Sequence, residues 1–154
     1  MSVLATNWTS ATLPLPPTDS LRLGVLASGR GTNLQALLDS AAAGDIPATV
    51  VAVASNRQDA QALERAHRAG VPADAFARAS FSSRTAQEEA IVAFLREHEV
   101  DLVVLAGYVP LLGPTILEAY RNRVVNIHPS LLPAFGGTLH AQADALRHGV
   151  KVTG

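Results

Sequence analysis

The chain has 154 residues, 48% of them hydrophobic and 16% charged, so it can bury a core and is not disordered throughout. Twelve Lys and Arg against thirteen Asp and Glu give a formal net charge of −1, without the basic excess that a broad nucleic-acid surface needs. There is no cysteine, which excludes a disulfide framework, a thiolate zinc site and a cysteine nucleophile, and every apolar run is interrupted short of the ~18 residues of a membrane span.

Residues 1–20 read as a tail. Thr, Ser and Pro dominate, with Pro14, Pro16 and Pro17 close together, so the segment has little to bury and lacks donors at its prolines. It carries no Lys or Arg and no compact apolar stretch, so no secretory signal is expected and the chain is expected to be soluble and cytoplasmic. The domain is expected to occupy 21–154. Residues 21–27 form a short, nearly continuous apolar run that ends in Ser28, Gly29, Arg30, Gly31 and Thr32, which reads as a buried strand feeding a Gly-rich turn. Leu34, Leu37 and Leu38 then take helical spacing, with Gly44 as the C-terminal glycine and Pro47 beyond it.

The unit repeats in outline. Residues 49–54 are β-branched and apolar, a second buried strand, and a helix over 59–69 follows with Ala62, Leu63 and Ala66 on one face. A short strand is expected near Ala75 and Phe76, and a helix over 84–98 with Ile91, Phe94 and Leu95 inward. Residues 101–106 are the clearest strand. Pro114 opens a short helix to Tyr120, residues 124–126 form a last strand before a Pro-rich turn, and 141–146 suggest a final helix. Strands alternating with helices imply an α/β fold: an open, mostly parallel sheet with helices on both faces. Ligands in such sheets sit beyond the strand C-terminal ends, which puts the site at residues 28–33, 107–112 and 126–128.

Gly29 and Gly31 between strand and helix expose backbone N–H groups, and the helix start adds positive potential. A dinucleotide fingerprint would need a third glycine where Leu34 stands and an acid after the second strand, where Ser55, Asn56 and Arg57 offer none. The Gly-Lys-Ser/Thr of a triphosphate loop is also absent. A monophosphate cradle on Gly31, Thr32 and Asn33 fits best, and a tight turn made for packing is the alternative. At the last strand, Asn126 and His128 are two apart and point to one side while Ile127 points to the other. A lone histidine is usually a surface or satisfied core residue. Beside an asparagine at this edge it becomes a catalytic candidate.

Ser28-Gly29-Arg30-Gly31-Thr32-Asn33-Leu34-Gln35 and Asn126-Ile127-His128-Pro129-Ser130-Leu131-Leu132-Pro133 together resemble the phosphoribosylglycinamide formyltransferase family, the folate-dependent enzymes of de novo purine synthesis. Ser55-Asn56, Ser83-Arg84 and Leu105-Ala106-Gly107-Tyr108 fall between them in the family's order. The resemblance implies a Rossmann-like formyltransferase domain. It implies transfer of a formyl group from the cosubstrate 10-formyltetrahydrofolate to the amine of glycinamide ribonucleotide; no metal is expected, since no cluster of His and carboxylates has ligand spacing. On that reading Asn126 and His128 stabilise the oxyanion on the formyl oxygen and His128 donates the proton. Gly31, Thr32 and Asn33 hold the phosphate. Arg84, Leu105, Tyr108, Val109, Pro110, Leu111, Leu112 and Val125 receive the folate.

The sequence also departs from the family. The family continues past Gly154 with further strands, a terminal helix and a loop whose aspartate pairs with the histidine and raises its pKa. The chain is therefore expected to be incomplete at its C-terminus, with an uncovered sheet edge and little catalysis by itself. Asp144, on a predicted helix, reads as a solvated charge and not as that aspartate. Pro110 stands where relatives often carry arginine and removes a backbone donor. The segment 135–140 is unusually Gly-rich. His140 suits a pocket or the surface, and His67, His98 and His148 receive no role. The alternatives are a formyltetrahydrofolate deformylase, which would want an N-terminal regulatory domain, and methionyl-tRNA formyltransferase, which needs a tRNA-binding extension. A non-catalytic ligand-binding remnant and, last, a nicotinamide dehydrogenase complete the set. The sequence leaves oligomeric state open.

Overall fold

The computed structural model describes residues 20–138 and 140–154; the tail expected at 1–20 lies, apart from Ser20, outside the described residues. Strand β1 (Leu21–Leu26) leads into helix α1 (Thr32–Ala43), then β2 (Ala48–Ser55), α2 (Gln61–Arg68) and β3 (Ala73–Ala75). A 3-10 turn (Arg78–Ser80) precedes α3 (Arg84–Glu97), and β4 (Leu102–Leu105), α4 (Pro114–Ala119), β5 (Val124–Asn126) and α5 (Ala141–Arg147) follow. Every element expected from periodicity is present, with ends moved by one or two residues. The helix expected from Asp59 starts at Gln61 because the Asp59 carboxylate is taken up by a double bond-pair with Arg57 (2.9 and 2.7 Å) and caps nothing. Gly44 ends α1 in the left-handed conformation, its N–H turned back onto the helix carbonyls.

The five strands are all parallel in the order β3-β2-β1-β4-β5. The order reverses between β1 and β4, the point at which loops from neighbouring strands part and leave a crevice. Side chains alternate across the sheet as a pleat requires. Leu23, Val25 and Ala27 pack with Val104 and Ala106 against Leu34 of α1 and Ala62 and Ala66 of α2. Leu26, Ala52, Ala54 and Val103 pack against Ile91, Val92 and Leu95 of α3 and Ile116 of α4. Gly24 faces this second layer, where a Cβ would come within 2.7 Å of Leu95, so the close approach of α3 to the sheet requires glycine there. Among the described residues no helix is long and apolar enough to cross a membrane.

Candidate active site

The loops after β1, β4 and β5 open on the same sheet edge, because their strands are parallel and adjacent in the order β1-β4-β5. Strands lie ~4.8 Å apart, so the outer two of these three stand about 10 Å from each other across β4. Ser28, nearly buried, ties the edge together. Its hydroxyl donates to Asn56 Oδ1 (2.5 Å) after β2 and accepts the Val109 N–H (2.9 Å) after β4, while its own N–H donates to the Gly107 carbonyl (3.1 Å).

Beside this knot lies a cleft of about 410 Å³ lined by Asn56, Arg78, Arg84, Gln87, Glu88, Tyr108, Pro110, Leu111, Leu112 and Ile116. Five of the expected folate residues therefore meet in one place: Arg84, Tyr108, Pro110, Leu111 and Leu112. Val109 stands on the same loop, largely exposed, outside the wall. Leu105 packs against the core, and Val125 is about half exposed on β5; neither lines the cleft. Arg84 joins helix to loop: its Nε donates to Glu88 Oε1 (3.0 Å) and its Nη2 to the Leu111 carbonyl (2.5 Å). Glu88, 5% exposed, also accepts the Gly113 N–H at 2.7 Å. Gln87 donates to the Phe76 carbonyl (2.6 Å) and so anchors the helix at the cleft floor. Burial, and next the Glu88 carboxylate, hold the Tyr108 hydroxyl above its ordinary pKa, so at neutral pH it is a protonated donor facing the cleft.

Asn126 ends β5 and is exposed; its side-chain amide has no partner among the described residues. His128, two residues on, is half-buried and mounted by Ser130. Its Nδ1 lies 3.2 Å from the Ser130 N–H, 3.1 Å from the Ser130 carbonyl and 3.1 Å from the Ser130 hydroxyl. That hydroxyl spends its proton on the Ala134 carbonyl (2.6 Å), so its lone pairs are left for Nδ1. A proton on Nδ1 therefore has the Ser130 carbonyl and hydroxyl oxygens as acceptors, both in the protonated ring and in the neutral ring that keeps its proton there, and the Ser130 N–H meets the opposite tautomer. In either state Nε2 has no partner among the described residues and is the nitrogen available to a substrate. Thr153 lies alongside, its hydroxyl donating to the Pro129 carbonyl (2.8 Å).

In the glycine loop, Gly31 is buried and left-handed (φ 70°), and a Cβ there would sit 2.8 Å from Ala62 Cα. Packing is therefore one reason for this glycine, as the tight-turn alternative held. The carbonyls of Gly29 and Arg30 turn toward α2, accepting from the Ala62 N–H (3.1 Å) and Arg65 Nε (2.8 Å). Thr32 and Asn33 are exposed at the start of α1, where no side chain among the described residues caps the first-turn amides. Those amides are free to meet an anion.

Asp144 sits in the first turn of α5, where a hydrogen bond from Arg147 is the main cause holding its carboxyl below the ordinary range. His140 is exposed at the start of the same helix and lies outside the cleft wall. Among the described residues no group of His, Cys, Asp or Glu has the makeup of a metal site. Sequence reasoning gave no role to Asn56, Gln87, Glu88 or Arg78. A signal for two of them was present: Gln87 and Glu88 precede Ile91 by four and three residues, so they share its inward face, and polar residues on an inward stripe call for partners.

The model of the family described as formyl transferase matches residues 21–154. The chain belongs to the formyl transferase family. It is 51% identical over 142 residues to phosphoribosylglycinamide formyltransferase of Mycobacterium tuberculosis (strain CDC 1551 / Oshkosh), an alignment that covers 92% of this chain and 65% of that protein. The Bacillus subtilis (strain 168) protein of the same name is 41% identical over 133 residues, 86% of this chain and 68% of its own. Among solved structures, glycinamide ribonucleotide transformylase 1 from Symbiobacterium toebii superposes with a TM-score of 0.82 at 54% identity, covering 88% of this chain and 64% of that one. The chain thus spans a little under two thirds of the length of the Mycobacterium tuberculosis protein and of the Symbiobacterium toebii structure, and slightly over two thirds of the Bacillus subtilis protein. The five-stranded parallel sheet with helices on both faces is the formyl transferase architecture expected from the sequence.

Proposed function

We propose that this chain carries the donor cleft, the phosphate loop and the Asn–His pair for moving a formyl group from N10 of 10-formyltetrahydrofolate to the amine of glycinamide ribonucleotide, a step of purine synthesis in the cytoplasm. One observation carries the reading. An apolar cleft with free backbone edges, a turn presenting a free amide and a free imidazole nitrogen, and a helix start with open amides share one sheet edge. A flat heterocycle suits the cleft: Leu112 and Ile116 offer apolar contact, and the Leu111 and Leu112 amides, without partners among the described residues, can read a polar ring edge. A monophosphate suits residues Gly31, Thr32 and Asn33.

The amine attacks the formyl carbon and the carbonyl oxygen becomes an oxyanion. The Asn126 amide and His128 Nε2–H are donors available for that charge. As the bond from carbon to N10 breaks, N10 takes a proton that His128 can supply from Nε2, and the attacking nitrogen gives one up that returns to Nε2, so the protons balance. Ser130 keeps Nδ1 satisfied before and after that transfer, so the ring need not turn. Relatives at 41 to 51% identity named for this reaction support the same substrates.

Calorimetry on the purified chain tests the reading. Glycinamide ribonucleotide should bind, and its phosphate-free riboside should bind roughly a hundredfold more weakly, as expected for losing about two charge-assisted hydrogen bonds. A 10-formylfolate analogue should bind with a Leu112→Asp variant losing most of the affinity. Equal binding of nucleotide and riboside, or an analogue indifferent to Leu112, would sink it.

A further inference from the structure

The transfer chemistry makes no use of the one carboxylate buried in the cleft wall. Burying a charge is costly unless it is fully paired, and a well-packed apolar residue at the Glu88 position would serve the core alone equally well. We propose that Glu88 is a positioning residue that holds the loop 107–113 in its ligand-receiving shape. The inference deepens the reading of this cleft as the folate pocket and rests on it.

Three features point the same way. Gly113 comes so close to Glu88 that a Cβ would lie 2.6 Å from both carboxylate oxygens, so glycine and carboxylate are fitted to each other. Glu88 accepts the Gly113 N–H directly and orients Arg84, which reaches on to the Leu111 carbonyl. One carboxylate thereby governs two points of the loop. Ser28 fixes the other end, at Gly107 and Val109. The Leu111 and Leu112 amides lie between these anchors and are left for a ligand. Arg84 has committed Nε and Nη2 to the protein, so its effect on affinity runs in large part through the loop.

Amide exchange on the ligand-free chain and titration with a 10-formylfolate analogue test this together. In Glu88→Ala the Gly113 amide should exchange roughly tenfold faster, the effect of losing a bond to a charged acceptor, while Ile91 and Leu95 in the same helix stay protected. Glu88→Gln keeps an acceptor for Gly113 but turns a donor toward Arg84. It should leave Gly113 exchange within about twofold of the parent yet weaken the analogue roughly tenfold. Arg84→Lys, a change at a half-exposed side chain that the fold tolerates, should weaken the analogue similarly. The Arg84→Lys/Glu88→Gln double variant should then be no worse than the stronger single. A merely structural Glu88 would lower the melting temperature without that non-additivity. Unchanged Gly113 exchange in Glu88→Ala, or additive losses in the double variant, would overturn the proposal. Should Glu88→Ala fail to fold, the other variants still decide. A parent chain that binds no folate analogue refutes the folate reading, while the exchange pattern independently judges the latch.

Discussion

Residues 107–113 and residues 127–134 are neighbouring segments of one site held in different ways. The first is tied down at both ends by side chains from distant elements, buried Ser28 near its start and buried Glu88 with half-exposed Arg84 near its finish. The second is held mostly by itself: His128 on Ser130, Ser130 on Ala134, with Leu131 and Leu132 each 58% exposed. Among the described residues its outside ties are the Ile127 N–H to Leu105, the Gly136 N–H to Pro133 and Thr153 to Pro129. The difference teaches where each property of the site resides. The shape of the ligand cleft depends on packing across the whole domain, whereas the mount of the imidazole depends on a few residues of one turn.

The largest effects should separate distant anchoring from local anchoring. Gly31 and Gly137 both have left-handed backbone, φ 70° and 77°. An alanine Cβ at Gly31 would meet Ala62 Cα at 2.8 Å, whereas at Gly137 it would meet nothing within 4 Å among the described residues. Left-handed strain costs about 1–2 kcal/mol in both cases. Overpacking adds about 1–3 kcal/mol at Gly31 alone. Urea denaturation should therefore show Gly31→Ala losing ~3 kcal/mol and Gly137→Ala ~1 kcal/mol. Equal losses would mean that the glycine loop is not pressed against α2 and that packing across the domain does not set its shape.

Next in size come the two buried serines. Ser28→Ala strands the Val109 N–H and the Asn56 side chain of two different loops, and should cost ~2 kcal/mol. It should also weaken the folate analogue, because the start of the loop loses its tie. Ser130→Ala removes a hydroxyl whose partners lie within four residues. It should cost ~1 kcal/mol and leave the analogue's affinity nearly unchanged. Should Ser130→Ala disturb the analogue as much as Ser28→Ala, the turn would not be the self-contained unit described above.

The same contrast explains what could be read from the chain before its structure. Local pattern was legible: Gly44 and Pro114 marked helix limits, and the apolar runs at 49–54 and 101–106 marked strands. The site edge followed from alternation of strands and helices, and Tyr108, Pro110, Leu111 and Leu112 did fall together in a cleft. The long-range polar ties were not legible as such. Nothing in the spacing of Glu88 and Gly113, 25 residues apart, says that a carboxylate meets an amide. Helical spacing could have flagged Glu88 as an inward charge, but its partner is set by how α3 crosses the sheet. Arg84 shows the same limit: it was expected as a ligand contact, and two of its nitrogens turn out to bind the protein.

Tyrosine ionisation offers the finest test, and the chain suits it because it has only two tyrosines, Tyr108 in the loop and Tyr120 in the core. Burial is the main cause that raises both hydroxyls above the ordinary value of 10.0; Glu88 adds to the shift at Tyr108, and Arg84 opposes it. A raised folded pKa means that the folded state favours the protonated phenol. The associated stability is complete below the ordinary value and is lost as pH rises through the folded one. Ultraviolet titration should thus show no tyrosinate step at pH 10, only a later rise that overlaps loss of structure. In Glu88→Gln the Tyr108 part of that rise should move to lower pH, while Tyr120, on which Glu88 does not act, stays where it was. If Tyr108 ionises at its ordinary value in the folded chain, the loop does not sit half-buried beside a charged Glu88. The cleft wall would then be as loosely held as the turn that carries His128.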